Sequence, residues 1–285
     1  MTKIIAEVGC NHMGSFDTAI EMIYIAKKYC NVDIIKFQKR TVRELLSKEE
    51  YNAPHPVMEN SYGKTYGEHR DFLELSIEQH IELKEYCDSL SVEYSCSVWD
   101  LNSAKDIISL NPRIIKIPSP CNLNFDMLDY LTKKFNGEIH ISLGMTTRRE
   151  ERNIMNIIQN NGRLKDIVLY ACTSSYPSLF EDVCLMEIKR LKDHWGALVK
   201  SIGFSGHHLG IAVDMGAITL GASHVERHFT LDRTSKGTDH AASLEPDGLR
   251  KLVRNSAAIS SSLKYKKSEV LNCEIAQRKK FNKGI

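Results

Sequence analysis

Short apolar runs recur along the chain, and each ends on a polar or charged residue. They cover 3–8, 33–37, 93–98, 113–117, 138–142, 166–171, 200–205 and 223–227. At or just beyond their ends stand Glu7, Lys36 with Gln38, Ser97, Lys116 with Ser119, Ser142, Thr173 with Ser174, His207, and Glu226 with His228. Between them lie stretches whose apolar residues return at helical spacing, such as 16–28, 77–87, 148–159 and 249–260. Runs of β type alternating with amphipathic helices predict a parallel sheet with crossover helices. Eight such units over roughly 250 residues predict an α/β chain folded as a single-domain (β/α)8 TIM barrel over 1–262. Such a barrel keeps its chemistry where the C-terminal strand ends point, so the pattern gathers these polar residues around one mouth.

Two segments break the alternation. The connection 40–75 is far longer than the few residues of an ordinary βα loop, and in a barrel it hangs over the mouth as a lid. Its segment KTYGEHR at 64–70 brings together charges, a tyrosine and a glycine, which suits an anionic or hydroxylated ligand; the alternative is a solvated surface insertion. From 263 to 285 the chain turns polar and basic, the composition of a solvated tail.

Charge and cysteine usage narrow the partners. With 38 basic and 36 acidic residues the net charge is +2, so no global field recruits nucleic acid or an anionic membrane. Small molecules are the expected partners. No apolar stretch approaches the roughly 20 residues that span a bilayer. The eight cysteines contain no CxxC pair and no basic-then-apolar leader precedes the first run, which predicts a reduced cytoplasmic protein.

Lys36 and Lys116 follow β-type runs at the exit ends of different strands. A lysine held there is partly desolvated, so it needs either an anionic ligand, phosphate or carboxylate, or a structural ion pair with Glu7 or another barrel carboxylate. Ser97, Ser119, Ser142, Ser174 and Ser205 recur at the same level, where hydroxyls either position phosphate oxygens or cap the following helix. His207 follows the seventh run and His228 the eighth. Neighbouring strands bring their ends into one site, so two imidazoles can share a divalent metal and leave positions open for water or substrate. His208, His224 and His240 lack that placement and read as structural. Glu7 precedes a turn carrying Gly9 and Gly14, and is either a general acid or base or the partner of Lys36. Asp239, on the eighth βα loop, can hold sugar hydroxyls.

At these residues the chain resembles the sialic acid synthase family. The likeness runs through IIAEVGCNHMG at 4–14, IKFQ at 35–38, KIPS at 116–119, SLGM at 142–145, CTSSYP at 172–177, FSGH at 204–207 and ERHFT at 226–230. The family condenses phosphoenolpyruvate with an N-acylmannosamine-type sugar. The resemblance implies phosphoenolpyruvate held by Lys36, Ser97, Lys116, Ser119, Ser142, Ser174 and Ser205, and a sugar held by Gln38, Tyr176 and Asp239. It also implies a divalent metal, manganese with magnesium or cobalt as substitutes, on His207 and His228, with Glu7 and His228 as catalytic residues. The segments 64–69, 205–207 and 236–246 resemble the animal-type branch more than the common bacterial one, and that branch takes 6-phosphorylated mannose sugars. Family members usually continue into an antifreeze-like domain that covers the partner's mouth. This chain reaches Ile285 just after CEIA at 273–276, which resembles the lead-in to that domain, so the expectation is a barrel without it, as a homodimer. The competing readings are another metal-dependent aldolase or isomerase barrel, which accounts less well for two lysines and many serines, and a non-catalytic sugar-phosphate-binding subunit.

Overall fold

The computed structural model describes residues 1–281. Its eight strands are β1 (Lys3–Gly9), β2 (Ile34–Lys39), β3 (Glu93–Val98), β4 (Ile114–Ile117), β5 (Glu138–Ser142), β6 (Ile167–Cys172), β7 (Ser201–Gly206) and β8 (His224–His228). They pair in sequence order, and β1 returns to β8, giving a closed parallel barrel in one domain. Each predicted run falls on one strand, with ends moved by a residue or two.

Because side chains on a strand alternate, each strand presents one set to the helices and the other to the barrel interior. Ile4, Ala6, Val8, Ile35, Phe37, Ile115, Ile117, Leu169 and Phe204 belong to the large core against the helices. Each such Ile or Phe contributes about 1.5–3 kcal/mol by leaving water. Inside, Ile5, Ile34, Ile114, Val168 and Tyr170 form a separate apolar plug. Two residues further along the same strands stand Glu7, Lys36 and Lys116, so the plug is the floor on which the polar mouth rests.

The plug has a polar seam that sequence patterning did not single out. The Tyr170 hydroxyl lies 2.8 Å from His140 Nδ1, and the His140 and His224 rings stack edge-on at 5.0 Å. Lys116 Nζ sits 4.3 Å above the Tyr170 ring. His208 and His240 are also structural. His208 Nε2 lies 3.0 Å from Arg227 Nη1, which pairs with Asp214 Oδ2 at 2.5 Å, and His240 Nδ1 lies 2.7 Å from the Thr230 hydroxyl.

Helix ends follow local chemistry. The predicted 16–28 helix is α-helical over Phe16–Tyr24, capped by the Ser15 side chain, and then widens into a π turn at Ile25–Tyr29. The last barrel helix runs Pro246–Ser262, earlier at its start than 249, because Pro246 occupies the first turn, where a missing N–H costs nothing. The tail carries a short helix at Ile275–Phe281, and 282–285 lie outside the described residues.

The connection 40–75 is a folded cover. It contains Val42–Leu45, Lys48–Asn52, a 3-10 turn Met58–Asn60 and Tyr66–Phe72, with local capping boxes at Ser47 with Glu50 and Thr65 with Glu68. Its interior is aromatic: Tyr62 stacks on Phe72 at 5.1 Å, and His55 meets His69 at 4.4 Å. The Tyr62 hydroxyl donates to Lys236 O at 2.5 Å, tying the cover to the eighth βα loop.

Candidate active site

Barrel register assembles the site. Glu7 pairs across the ladder with Lys36 on one side and with His228 on the other, so one carboxylate stands between the lysine and imidazole positions. Gln38 pairs with Ser97, Ser97 with Lys116, and Ser205 with Glu226. These side chains line a cavity of about 460 Å3 at the C-terminal mouth, with lid residues Val57, Asn60 and Arg70 along its edge. The segment 40–75 therefore reaches the cavity with these residues, while most of its residues over 41–60 are exposed. Gly9, at φ +56°, permits the turn beyond β1, and a Cβ there would come 2.8 Å from Gln38 Nε2.

Both lysines have internal counter-charges. Lys36 Nζ contacts Glu7 Oε2, lies 3.8 Å from Glu226 Oε1, and donates to Ser97 Oγ at 2.6 Å. Lys116 Nζ donates to Glu226 Oε1 at 2.6 Å. Of the two alternatives for these lysines the structure shows the ion pair, with Glu7 for Lys36 and with Glu226 for both, so their burial does not by itself require an anionic ligand. Burial pushes the Lys36 ammonium down, but Glu226 and Glu7 outweigh it and its pKa is raised. At Lys116 burial prevails over the attraction of Glu226, and its pKa is lowered. Burial likewise opposes the Glu226 charge, yet Lys116 and Lys36 hold its pKa at about 2. Gln38 Nε2 donates to Glu7 Oε1 at 2.9 Å, and Ser205 Oγ donates to Glu226 Oε1 at 3.1 Å.

The imidazoles of His207 and His228 face each other with ring centres 5.5 Å apart. His207 Nδ1 donates to the Thr173 carbonyl at 2.8 Å, which leaves the Nε2 lone pair free. Burial, then the neighbouring His228, lowers the His207 pKa to about 3, so the ring is neutral. His228 Nδ1 is buried without a hydrogen-bond partner among the described residues. A neutral, oriented His207 facing the orphaned nitrogen of His228 fits a divalent ion. Among the described residues no group of three or more His, Cys, Asp or Glu gathers to hold a metal.

Tyr176 is half exposed, yet its ring covers His207 at 4.1 Å and His228 at 5.9 Å. Asp239 lines the cavity and accepts from the Thr238 hydroxyl at 3.0 Å. Burial pushes Asp239 up, but His228 and the Thr238 hydroxyl bring its pKa below the ordinary value. Ser119 and Ser142 line the cavity, and Gly144 N donates to Ser119 Oγ at 3.1 Å. Ser174 is not among the lining residues. Its hydroxyl stands beside Gly144, where an added Cβ would come within 2.4 Å of it.

Glu226 entered the sequence reading only as a strand-end residue without a role and Arg70 only within the segment 64–70, while Arg40, Asn60, Trp99 and Thr238 were not singled out; all six line the cavity. Glu226 carried a usable signal, since it lies two residues before His228 on the same strand face. Arg40 had none. It is buried against the Trp99 ring at 4.1 Å and pairs with Glu74 at 3.0 Å, a partner 34 residues away.

The NeuB family profile matches residues 22–268. The chain is 36% identical over 282 residues to N-acetylneuraminate-9-phosphate synthase of Homo sapiens, covering 99% of this chain and 77% of that one. It is 33% identical over 285 residues to N,N'-diacetyllegionaminic acid synthase of Campylobacter jejuni, covering 97% and 83%. The crystal structure of N-acetylneuraminic acid synthetase from Leptospira borgpetersenii in complex with citrate superposes with a TM-score of 0.82 at 26% identity, covering 99% and 93%.

Proposed function

We propose a function on one premise: the chain belongs to the NeuB family. It is a phosphoenolpyruvate-dependent synthase that joins phosphoenolpyruvate to an N-acylmannosamine-type sugar and releases phosphate, forming a nonulosonic acid. C3 of phosphoenolpyruvate bonds to the aldehyde carbon, the aldehyde oxygen takes a proton, water adds at C2, and phosphate leaves as the ketone forms. The observation that carries the reading is the ladder position of Glu7, between Lys36 and His228, which unites an anion cradle and an imidazole pair in one cavity. An aldolase or isomerase barrel has no such support from the relatives.

Lys36 and Lys116 turn from their carboxylates to the phosphate and carboxylate of phosphoenolpyruvate, with Ser97, Ser119, Ser142 and Ser205 completing the cradle and Ser174 supporting it from behind Gly144. Glu7, released by Lys36, moves a proton for the attacking water or the new hydroxyl. Gln38, Tyr176 and Asp239 orient the sugar. His207 and His228 would hold the divalent ion, manganese in this reading, which supplies Lewis-acid polarisation of the aldehyde oxygen. The human relative is named for a 9-phosphorylated product and the Campylobacter one for an acid without phosphate, so the family admits either acceptor.

The reading includes a cytoplasmic homodimer. All eight cysteines are free, which supports a reducing compartment. Met145, Leu179 and Phe180 on the connections beyond β5 and β6, and Met186 at the start of the helix Met186–Trp195, expose apolar surface, which supports a covered face. No helix of the described residues is long and apolar enough to cross a membrane. The test is incubation with phosphoenolpyruvate, manganese and a panel of N-acylhexosamines, following phosphate release and product mass. Release that depends on the aldehyde sugar, with a product three carbons longer, is expected. A product formed without phosphate loss, or none with any sugar, overturns the reading.

A further inference from the structure

Arg40 stands where the floor gives way to the lid. It follows the last residue of β2, opens the connection 40–75, and is only 6% exposed. Its guanidinium is clamped from three connections. Nη1 donates to Glu74 Oε1 at 3.0 Å and to Cys10 Sγ at 3.1 Å, and the central carbon lies 4.1 Å from the Trp99 ring. The backbone N–H of Arg40 donates to the other Glu74 oxygen at 2.9 Å. Glu74 therefore answers the charge, and this buried cation needs no anionic ligand. What its remaining arm holds is an amide: Nη2 donates to the Gln38 side-chain oxygen.

That contact fixes which way the Gln38 amide points. A guanidinium only donates, so the edge of the amide facing it must be the oxygen. The NH2 edge then faces Glu7, where Nε2 donates to Oε1 at 2.9 Å. The reversed amide would set N–H against N–H at Arg40 and oxygen against a carboxylate at Glu7, two repulsions at once. Gly9 leaves the space for this arrangement, since a Cβ there would come 2.8 Å from Gln38 Nε2 and 3.3 Å from Glu7 Oε1. The base of the lid is thus joined to the strand-end carboxylate through Glu74, Arg40, Gln38 and Glu7 in turn. The second Glu7 oxygen, Oε2, meets Lys36.

We infer that Arg40 is a positioning residue for the reaction: through Gln38 it fixes the rotation of the Glu7 carboxylate, so that Oε2 is the oxygen left open when Lys36 turns to phosphoenolpyruvate. The inference rests on the proposed synthase reading and deepens it by naming the oxygen at which Glu7 handles the proton. With Oε1 held by Gln38, the carboxylate cannot swing after Lys36 without breaking a hydrogen bond. A carboxylate free to rotate would present either oxygen in changing directions, and a misplacement of about 1 Å in a reacting group can cost roughly a hundredfold in rate. No proton travels along the series itself, since the guanidinium and the amide keep theirs.

Steady-state kinetics on the full chain compare Arg40→Met, Gln38→Met and the double variant. Arg40→Met is expected to lower kcat by about 10- to 100-fold while the KM for phosphoenolpyruvate stays within about threefold. In the Gln38→Met background the same substitution should change kcat by less than about twofold, because the group it acts through is gone. Equal losses in both backgrounds overturn the inference and leave Arg40 a packing residue. Arg40→Lys, which keeps a charge for Glu74 but has no second arm for Gln38, replaces Arg40→Met in the cycle if that variant does not fold. A second readout needs no turnover. The Gln38 side-chain amide hydrogens, identified in NMR spectra of the nitrogen-labelled chain by their absence from Gln38→Met, should exchange with solvent at least about tenfold faster in the Arg40 variant. Unchanged exchange overturns the clamp. Exchange that depends on Arg40 in a chain that condenses no sugar sustains the clamp and overturns the proposed function.

Discussion

At the strand ends, Glu7, Lys36, Lys116 and Glu226 are all less than a tenth exposed, and each is held by ladder register and a partner on another strand. On the lid, Asn60 and Arg70 stand on a 3-10 turn and a seven-residue helix whose caps come from their own neighbours in sequence. The first region is stiff because moving one side chain breaks hydrogen bonds on two strands. The second is a local unit tied to the barrel by contacts such as Tyr62 to Lys236 and Thr41 to Asp100. Chemistry that is the same for every acceptor belongs on the rigid floor, and selection among acceptors belongs on the part that can vary without disturbing it.

The variant that strains this contrast most is Glu226→Ala. It removes the carboxylate shared by Lys116 and Lys36, so two buried cations lose a partner at once. Stability should fall by about 3–5 kcal/mol in denaturant titration and turnover by roughly a thousandfold or more. A variant as stable as the original chain would show that the floor is not held by its ion pairs. His207→Ala should come next, with the fold intact by circular dichroism, bound metal lost and turnover down by about a thousandfold. Full turnover in the metal-free variant contradicts the assignment of the imidazole pair.

Lys36→Ala and Lys116→Ala should each raise the KM for phosphoenolpyruvate by about 10- to 100-fold and change the sugar KM much less. If both constants move together, the division between floor and rim fails. The opposite end of the barrel supplies a control for stability without chemistry. There the neighbouring His140, then Lys200 at 3.0 Å, hold the Glu138 pKa at about 2 against burial. A depressed carboxylate stabilises above its unfolded pKa, and the effect fades as pH falls from about 4.5 toward 2. Glu138→Gln should cost about 1–3 kcal/mol near neutral pH, and the difference from the original chain should vanish at the acid end. A difference independent of pH would assign the loss to packing.

The smallest effect is expected from Gly67→Ala, in which the new Cβ would meet the Tyr51 ring at 2.1 Å and push two lid helices apart. The melting temperature should stay within a few degrees while the sugar KM rises several-fold, because the lid adds little to the core. A rise confined to the phosphoenolpyruvate KM would place the lid over the wrong substrate.

The eight strands, the mouth that carries the chemistry and the inward set Glu7, Lys36, Lys116, His207 and His228 were legible in the sequence. Alternation of side chains and the crossover rule act locally, and each strand writes its own period. Pairing was not legible. Glu7 meets His228 because closure of the barrel lays β1 beside β8, and Glu226 answers both lysines from across the mouth. No residue pattern encodes a contact made by closing a ring, which is why the sequence left Lys36 and Lys116 open between an anionic ligand and a barrel carboxylate. The lid was visible as excess length and as the mixed segment 64–70, but its fold was not. That Arg70 faces the cavity while Arg40 is bound to Glu74 was decided by how the short lid helices pack, through contacts such as Tyr51 to Asp71 and Tyr62 to Phe72. Local periodicity therefore determined the floor of this site residue by residue, and tertiary packing alone decided which of its charges were already answered and which were left for a substrate.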